Sequence, residues 1–200
     1  MTIAVWADKN QWEELTYGCT GVSWIKLESV NEIVMAADAY FILKDKMNFT
    51  PVGIEKPVVI NAVAETLQSL QLPVNVTRIN AWPGFLARSS WEIAGNISYD
   101  LQTVMTAINK QIIPVKDEPG LVAARTIAML INEAYFALGE GVSTKEAIDI
   151  AMQLGTNYPY GLFAWADKIG VQNIYSLLLI LQQQDNSYMP APLLQKAATL

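Results

Sequence analysis

Histidine does not occur anywhere in these 200 residues. That one absence removes Ser-His-Asp and Cys-His nucleophilic catalysis, and with them the side chain that most often carries a proton near neutral pH. Cysteine is almost as scarce. Cys19 stands alone, so no internal disulfide can form, and this usage suits a reducing, cytoplasmic compartment. A zinc site would be left with scattered carboxylates. Basic runs are missing too: 13 basic residues face 19 acidic ones, for a formal net charge of −6. Nucleic-acid phosphates demand clustered Lys and Arg, so that class of partner is excluded. No apolar run reaches the roughly eighteen residues of a membrane span. The start lacks the basic region of a signal peptide and reads as structure.

Glycine is absent where a nucleotide would need it. Ile3–Ala7 reads as a short buried strand, and 11–16 as the helix after it. A dinucleotide-binding fold places G-x-G-x-x-G at this junction, so that backbone approaches a pyrophosphate at the helix N-terminus. Here the junction is Ala7-Asp8-Lys9-Asn10-Gln11-Trp12, and the first glycine is Gly18. Asp8 would set a negative charge where the phosphates belong. The stretch reads as an ordinary strand-to-helix turn, and no cofactor is expected there.

Two hundred residues suit one large domain or two small ones, and 52% hydrophobic content is ample for a buried core. Further strands are expected at 22–27, 39–43, 57–61 and 74–79, with helices at 29–37 and 65–70 between them. A helix over 98–110, capped by Ser98, and an edge strand over 112–116 complete this half. The alternation implies a parallel sheet with helices packed on its faces. Residues 1–114 then form a shortened Rossmann-like α/β domain, smaller than a full nucleotide-binding domain.

Residues 115–200 read as helical. Leu121, Ala124, Ala128, Ile131, Ala134, Tyr135 and Leu138 make one face of a long helix. Gly139 and Gly141 punctuate its end, and Ser143 with Glu146 has the spacing of a capping box for the next helix, which runs to Gly155. Tyr158, Tyr160, Phe163 and Trp165 surround Pro159 and Gly161, and read as core filling rather than a ligand clamp. Val171–Leu181 is a strongly apolar helix, running out at Gln182. The tail from Tyr188 to Leu194 is expected to be extended and to pack back.

The order and spacing of several pieces from Lys116 to Gly170 resemble the 3-hydroxyacyl-CoA dehydrogenase family. They are Asp117, Gly120 and Leu121, then Asn132-Glu133-Ala134, Glu140-Gly141-Val142-Ser143, Ile148-Asp149, and Gly155 through Phe163, followed by Trp165, Asp167 and Gly170. The resemblance implies a helical domain like the C-terminal domain of 6-phosphogluconate dehydrogenase, a family cofactor NAD, and acyl-CoA as a possible ligand. It also implies a homodimer through the helical domain. The surplus apolar surface of 171–181 is the expected contact.

The same resemblance puts the family's proton-relaying histidine at Asn80 and its glutamate at Glu92, twelve residues on. An amide hydrogen-bonds but cannot relay a proton. Substrate-binding positions fall on Asn61, followed by Ala62 and Val63 in place of hydroxyls, and on Arg125, preceded by Ala124 where the family has asparagine. Pro83 stands where a second active-site asparagine is expected. The leading expectation is a family member that keeps the scaffold without dehydrogenase activity. Its rivals are an active oxidoreductase with a rearranged site, and a partner that completes a site on another polypeptide.

Overall fold

A computed structural model describes residues 1–44 and 53–199. The chain divides into two compact units, Met1–Leu121 and Val122–Leu200. The first unit carries β1 (Thr2–Trp6), α1 (Lys9–Thr16), β2 (Ser23–Lys26), β3 (Ala39–Ile42), β4 (Val58–Asn61) and β5 (Val76–Ile79). Then follow β6 (Ser90–Gly95), α2 (Tyr99–Ala107) and β7 (Gln111–Pro114). The seven strands form one sheet in the order β2-β1-β3-β4-β5-β6-β7. β1 to β5 are mutually parallel. Every residue of β3, β4 and β5 is buried, as expected of parallel strands covered on both faces.

Two features depart from the expected all-parallel, helix-covered sheet. The first is β6, which the sequence reading did not mark as a strand and which runs antiparallel to β5. Only ten residues separate β5 from β6, fewer than a parallel crossover needs, so the chain turns back on itself. The second is the covering. One face packs Leu15 from α1 and Leu101, Val104 and Met105 from α2 over Ile3, Val5, Phe41 and Ile79. The other packs Ala4, Tyr40, Ile42, Val58 and Ile60 against Val30, Val34, Leu67 and Leu70, none of which lies in a helix or strand.

The helices expected at 29–37 and 65–70 do not form, for local reasons. Val30, Ile33 and Val34 are β-branched and lose side-chain freedom in a helix. The Tyr40 hydroxyl accepts from Val34 N at 3.0 Å and donates to Val34 O at 2.8 Å, taking up backbone groups a helix would need. In the second stretch a single turn closes with Leu70 N donating to Thr66 O. Gln71 then takes a left-handed conformation, φ 52°, and ends it.

Arg78 is the largest fully buried side chain. Its Nη1 donates to Ala62 O at 2.9 Å and its Nη2 to Glu118 O, while Nε pairs with the Asp117 carboxylate. Asp117 in turn accepts from Leu67 N and Gln68 N. Burial pulls the guanidinium below its ordinary pKa, and the hydrogen bond and charge of Asp117 pull it back up. Gly120 N also donates to Val63 O at 2.7 Å. These bonds hold residues 117–120 to the sheet unit, so the units divide after Leu121 rather than at 114.

The second unit holds α3 (Ala123–Gly139), α4 (Lys145–Thr156), α5 (Leu162–Ile169), α6 (Val171–Gln182), a 3-10 turn at Asn186–Tyr188 and α7 (Pro192–Ala198). The cap of α4 sits one residue later than expected: Thr144, not Ser143, accepts from Ala147 N at 3.2 Å. The tail expected to be extended instead forms α7, with Ala191 and Leu194 fully buried. Ile174, Leu177, Leu178 and Leu181 of α6 are buried too, so most of that helix's apolar surface is committed to its own unit. No helix among the described residues is long and apolar enough to cross a membrane.

Replacing Arg78 by Met leaves the carbonyls of Ala62 and Glu118 without this donor and the Asp117 carboxylate without its charged one, with only the Leu67 and Gln68 amides remaining. The expected loss is about 3–5 kcal/mol, the usual cost of breaking a buried pair from one side. Urea denaturation followed by far-UV circular dichroism measures it. A loss below about 1 kcal/mol, the worth of one ordinary hydrogen bond, contradicts the central place given to Arg78.

Candidate functional site

Parallel sheets bind ligands outside the carboxyl ends of their strands, where the strand order reverses. Here the reversal lies between β1 and β3. The residues at that edge are Trp6 to Gln11 after β1, Leu43 and Lys44 after β3, Asn61 at the end of β4, and Asn80 after β5.

The N-terminus of α1 is closed by its own side chains. Asp8 Oδ1 accepts from Gln11 N at 2.8 Å, and Gln11 Oε1 accepts from Asp8 N at 3.2 Å, a reciprocal capping box. Gln11 Nε2 reaches across the strand reversal to Leu43 O at 2.7 Å. The Lys44 ammonium lies 3.6 Å from the centre of the Trp6 ring. A pyrophosphate needs free amides and a glycine backbone at this point. The end of α1 instead offers capped amides, a carboxylate and a bridging glutamine, and these residues do not fit a dinucleotide.

Asn61 is engaged in the same edge. Its Nδ2 donates to Leu43 O at 3.1 Å and its Oδ1 accepts from Ala81 N at 3.0 Å, tying the ends of β3, β4 and β5 together. Asn80 is 7% exposed, and its Oδ1 accepts from Trp82 N at 3.0 Å. Its Nδ2 has no hydrogen-bond partner among the described residues. Glu92 lies in the middle of β6, beside Ile113 of β7. Thr77 faces Gly95 and Arg78 faces Ala94 across the antiparallel pair. Arg125 belongs to the other unit, where its guanidinium lies 5.8 Å from the Tyr188 ring centre. No cluster of His, Cys, Asp and Glu among the described residues could hold a metal ion.

Several motif residues of the helical unit have structural tasks. Asn132 of α3 donates from Nδ2 to Met189 O at 2.9 Å and accepts from Ala191 N at 2.8 Å, clipping the tail to the helix. Asp149 of α4 caps α5, accepting from Phe163 N at 2.8 Å and Ala164 N at 3.0 Å. A Cβ on Gly161 would lie 2.2 Å from Asp149 Cγ, so the carboxylate reaches those amides only over glycine. Phe163 and Trp165 are buried, with Tyr135 and the rings of Tyr158 and Tyr160 edge-on to them. The aromatic group fills the core of this unit.

Residues 120–200 match the 3-hydroxyacyl-CoA dehydrogenase, C-terminal domain. The similarity to the 3-hydroxyacyl-CoA dehydrogenase family thus lies in the helical unit. A 3-hydroxyadipyl-CoA dehydrogenase of Escherichia coli is 45% identical over 93 residues, covering 46% of this chain and 20% of that protein. A probable 3-hydroxybutyryl-CoA dehydrogenase of Bacillus subtilis is 39% identical over 99 residues, or 48% of this chain and 34% of that protein. The match thus spans a fifth to a third of these two relatives. The crystal structure of the Ralstonia eutropha (S)-3-hydroxybutyryl-CoA dehydrogenase covers 86% of this chain and 69% of its own, with a TM-score of 0.68. At 22% identity that likeness is one of fold. The E. coli 3-hydroxybutyryl-CoA dehydrogenase structure is 31% identical, with a TM-score of 0.62, and covers 86% of this chain but 38% of its own.

The pairing of Asp149 with Gly161 generates a test. Gly161→Ala should lower the stability of the helical unit by about 2–3 kcal/mol, because the cap is lost and the carboxylate must move. In an Asp149→Ala background the same change should cost almost nothing further, since the two residues share one interaction. Additive losses in thermal denaturation would show that Gly161 is needed for some other reason.

Proposed function

We propose that this chain is a 3-hydroxyacyl-CoA dehydrogenase-family protein without hydride transfer, working as a scaffold built on its helical unit. The observation that carries this reading is the closed end of α1. Asp8 and Gln11 satisfy the amides that a pyrophosphate would require, and Asp8 adds a repelling charge. The proton relay supports the same reading. Asn80 stands where a base is needed, and the chain has no histidine to take over that role.

A second reading, an acyl-CoA-related binding protein, draws on one further observation. Asn80 Nδ2 is a buried donor without a partner among the described residues, and an acyl carbonyl is an acceptor of the kind it lacks. The rival of an active NAD-dependent oxidoreductase in fatty-acid metabolism requires a cofactor site that the end of α1 does not offer.

Calorimetric titration with NADH is expected to give no heat of binding, and nicotinamide fluorescence should show no enhancement at micromolar protein. Enhancement would overturn the scaffold reading. Titration with acetoacetyl-CoA in the same cell separates the two versions: heat without NADH binding favours the acyl-CoA protein.

Asn80→His alone should not yield dehydrogenase turnover, because nothing then holds a nicotinamide against the substrate carbon, and orientation supplies much of the rate. NADH oxidation with acetoacetyl-CoA, followed by absorbance, is expected to stay at the background rate. Turnover well above it would show that the cofactor still binds productively.

A further inference from the structure

Helix α4 is attached to its unit differently from its neighbours. α3, α5, α6 and α7 each bury apolar residues, whereas α4 buries none. The side it turns inward is the stripe of Lys145, Ile148, Asp149 and Met152, at three- and four-residue steps. Ile148 and Met152 are only half-buried, and Lys145 is exposed. An inward stripe is normally apolar throughout. Here two of its four positions are charged, and both charges are engaged with α5 and α3. The Asp149 carboxylate accepts from Phe163 N at 2.8 Å and from Ala164 N at 3.0 Å. The Lys145 ammonium lies 5.4 Å from the Phe163 ring centre and 5.9 Å from that of Tyr135. At either end of the helix an exposed left-handed residue turns the chain, Gly141 (φ 72°) before it and Asn157 (φ 55°) after it.

We infer that α4 is a detachable strap, latched by Asp149 and Lys145 and released while the remaining helices stay packed. Elements with little buried apolar surface open before the whole structure does. Off its unit, a helix of 12 residues is marginal in water, and Gly155 in its last turn weakens it further. Release and melting are therefore one event. The rings it leaves behind hold each other: Tyr135 and Phe163 meet edge to face, with centres 5.0 Å apart. Both latch contacts are electrostatic and lie at the surface, where dissolved salt weakens a carboxylate at a helix N-terminus and an ammonium over a ring alike. Ionic strength is the input to which the strap responds. Opening frees the amides of Phe163 and Ala164 at the start of α5 and uncovers the two rings. The latch belongs to the helical unit alone and does not depend on any ligand of the sheet unit.

Hydrogen exchange of the full chain, followed by mass spectrometry near neutral pH, reads the opening. Amides of residues 149–153 are expected to exchange at least about tenfold faster than those in the middle of α3 and α6. Asp149→Ala should speed α4 by about a further tenfold and Lys145→Met by about threefold, with α3 and α6 unchanged. Raising KCl from about 50 mM to about 1 M should speed α4 of the unaltered protein by about threefold. The same salt step should leave α4 of the double variant as it is, since no latch remains to be screened. Exchange of α4 in step with α3 and α6, variants that loosen every helix equally, or a salt effect of the same size with and without the latch would each overturn the inference. If the variants do not fold, the salt step on the unaltered protein decides, and the absence of a selective change in α4 overturns it.

Discussion

A guanidinium buried on β5, between a parallel and an antiparallel neighbour, sets the conditions for what surrounds it. Arg78 is on β5 with no exposed surface, and a charge so placed is costly unless its donors are matched. The matching comes from three places in the chain: the turn after β4, the turn at 67–68 acting through Asp117, and the segment 117–118. None of these has regular secondary structure of its own. Each is held because a buried donor needs it. Asn61 and Gln11 extend the same pattern across the edge by converging on the Leu43 carbonyl. The carboxyl edge of this sheet is thus stitched together by its own polar side chains.

This internal satisfaction separates the chain from the fold it belongs to. A nucleotide-binding edge keeps backbone amides available and side chains small, so that the ligand completes the hydrogen bonding. Here β1 enters α1 through Ala7 and Asp8, and Gly84, which has a positive φ, donates its amide to the Glu14 carboxylate at 2.8 Å. The helical unit shows the same economy. Asn132, Asp149 and Gly161 are motif residues of a dehydrogenase family, yet each joins one part of the unit to another. Their spacing is preserved by packing geometry and would be required whether or not any chemistry followed.

Much of this was legible in the sequence. β1, β3 and β4 are largely apolar runs, and α2, α3 and α6 have apolar faces that periodicity finds directly. The direction of β6 was not legible, because Ser90-Trp91-Glu92-Ile93 carries no mark of which neighbour it will pair with. The segments 29–37 and 65–70 were misread for a related reason. Their apolar residues have helical spacing, but the Tyr40 hydroxyl and the left-handed Gln71 decide their conformation, and both are tertiary or backbone facts. Apolar content also drew attention to α6, whose Ile174, Leu177, Leu178 and Leu181 are buried in their own unit. The count of leucines was right, but the sequence does not say which side of a helix its own unit will cover. At the candidate site, the twelve-residue spacing of Asn80 and Glu92 was visible, whereas the antiparallel course of β6 beside β5 was not.

The capping box on α1 has a thermodynamic consequence of its own. A fold whose helix end waits for a cofactor gains stability in proportion to how much cofactor surrounds it, through RT ln(1 + [L]/Kd). Asp8 and Gln11 deliver their stabilisation intramolecularly, at an effective concentration that dilution cannot change. The contribution, on the order of 1 kcal/mol for a cap of this kind, is therefore constant. It is the same in a cell rich in reduced nucleotide, in one depleted of it, and in a test tube containing none.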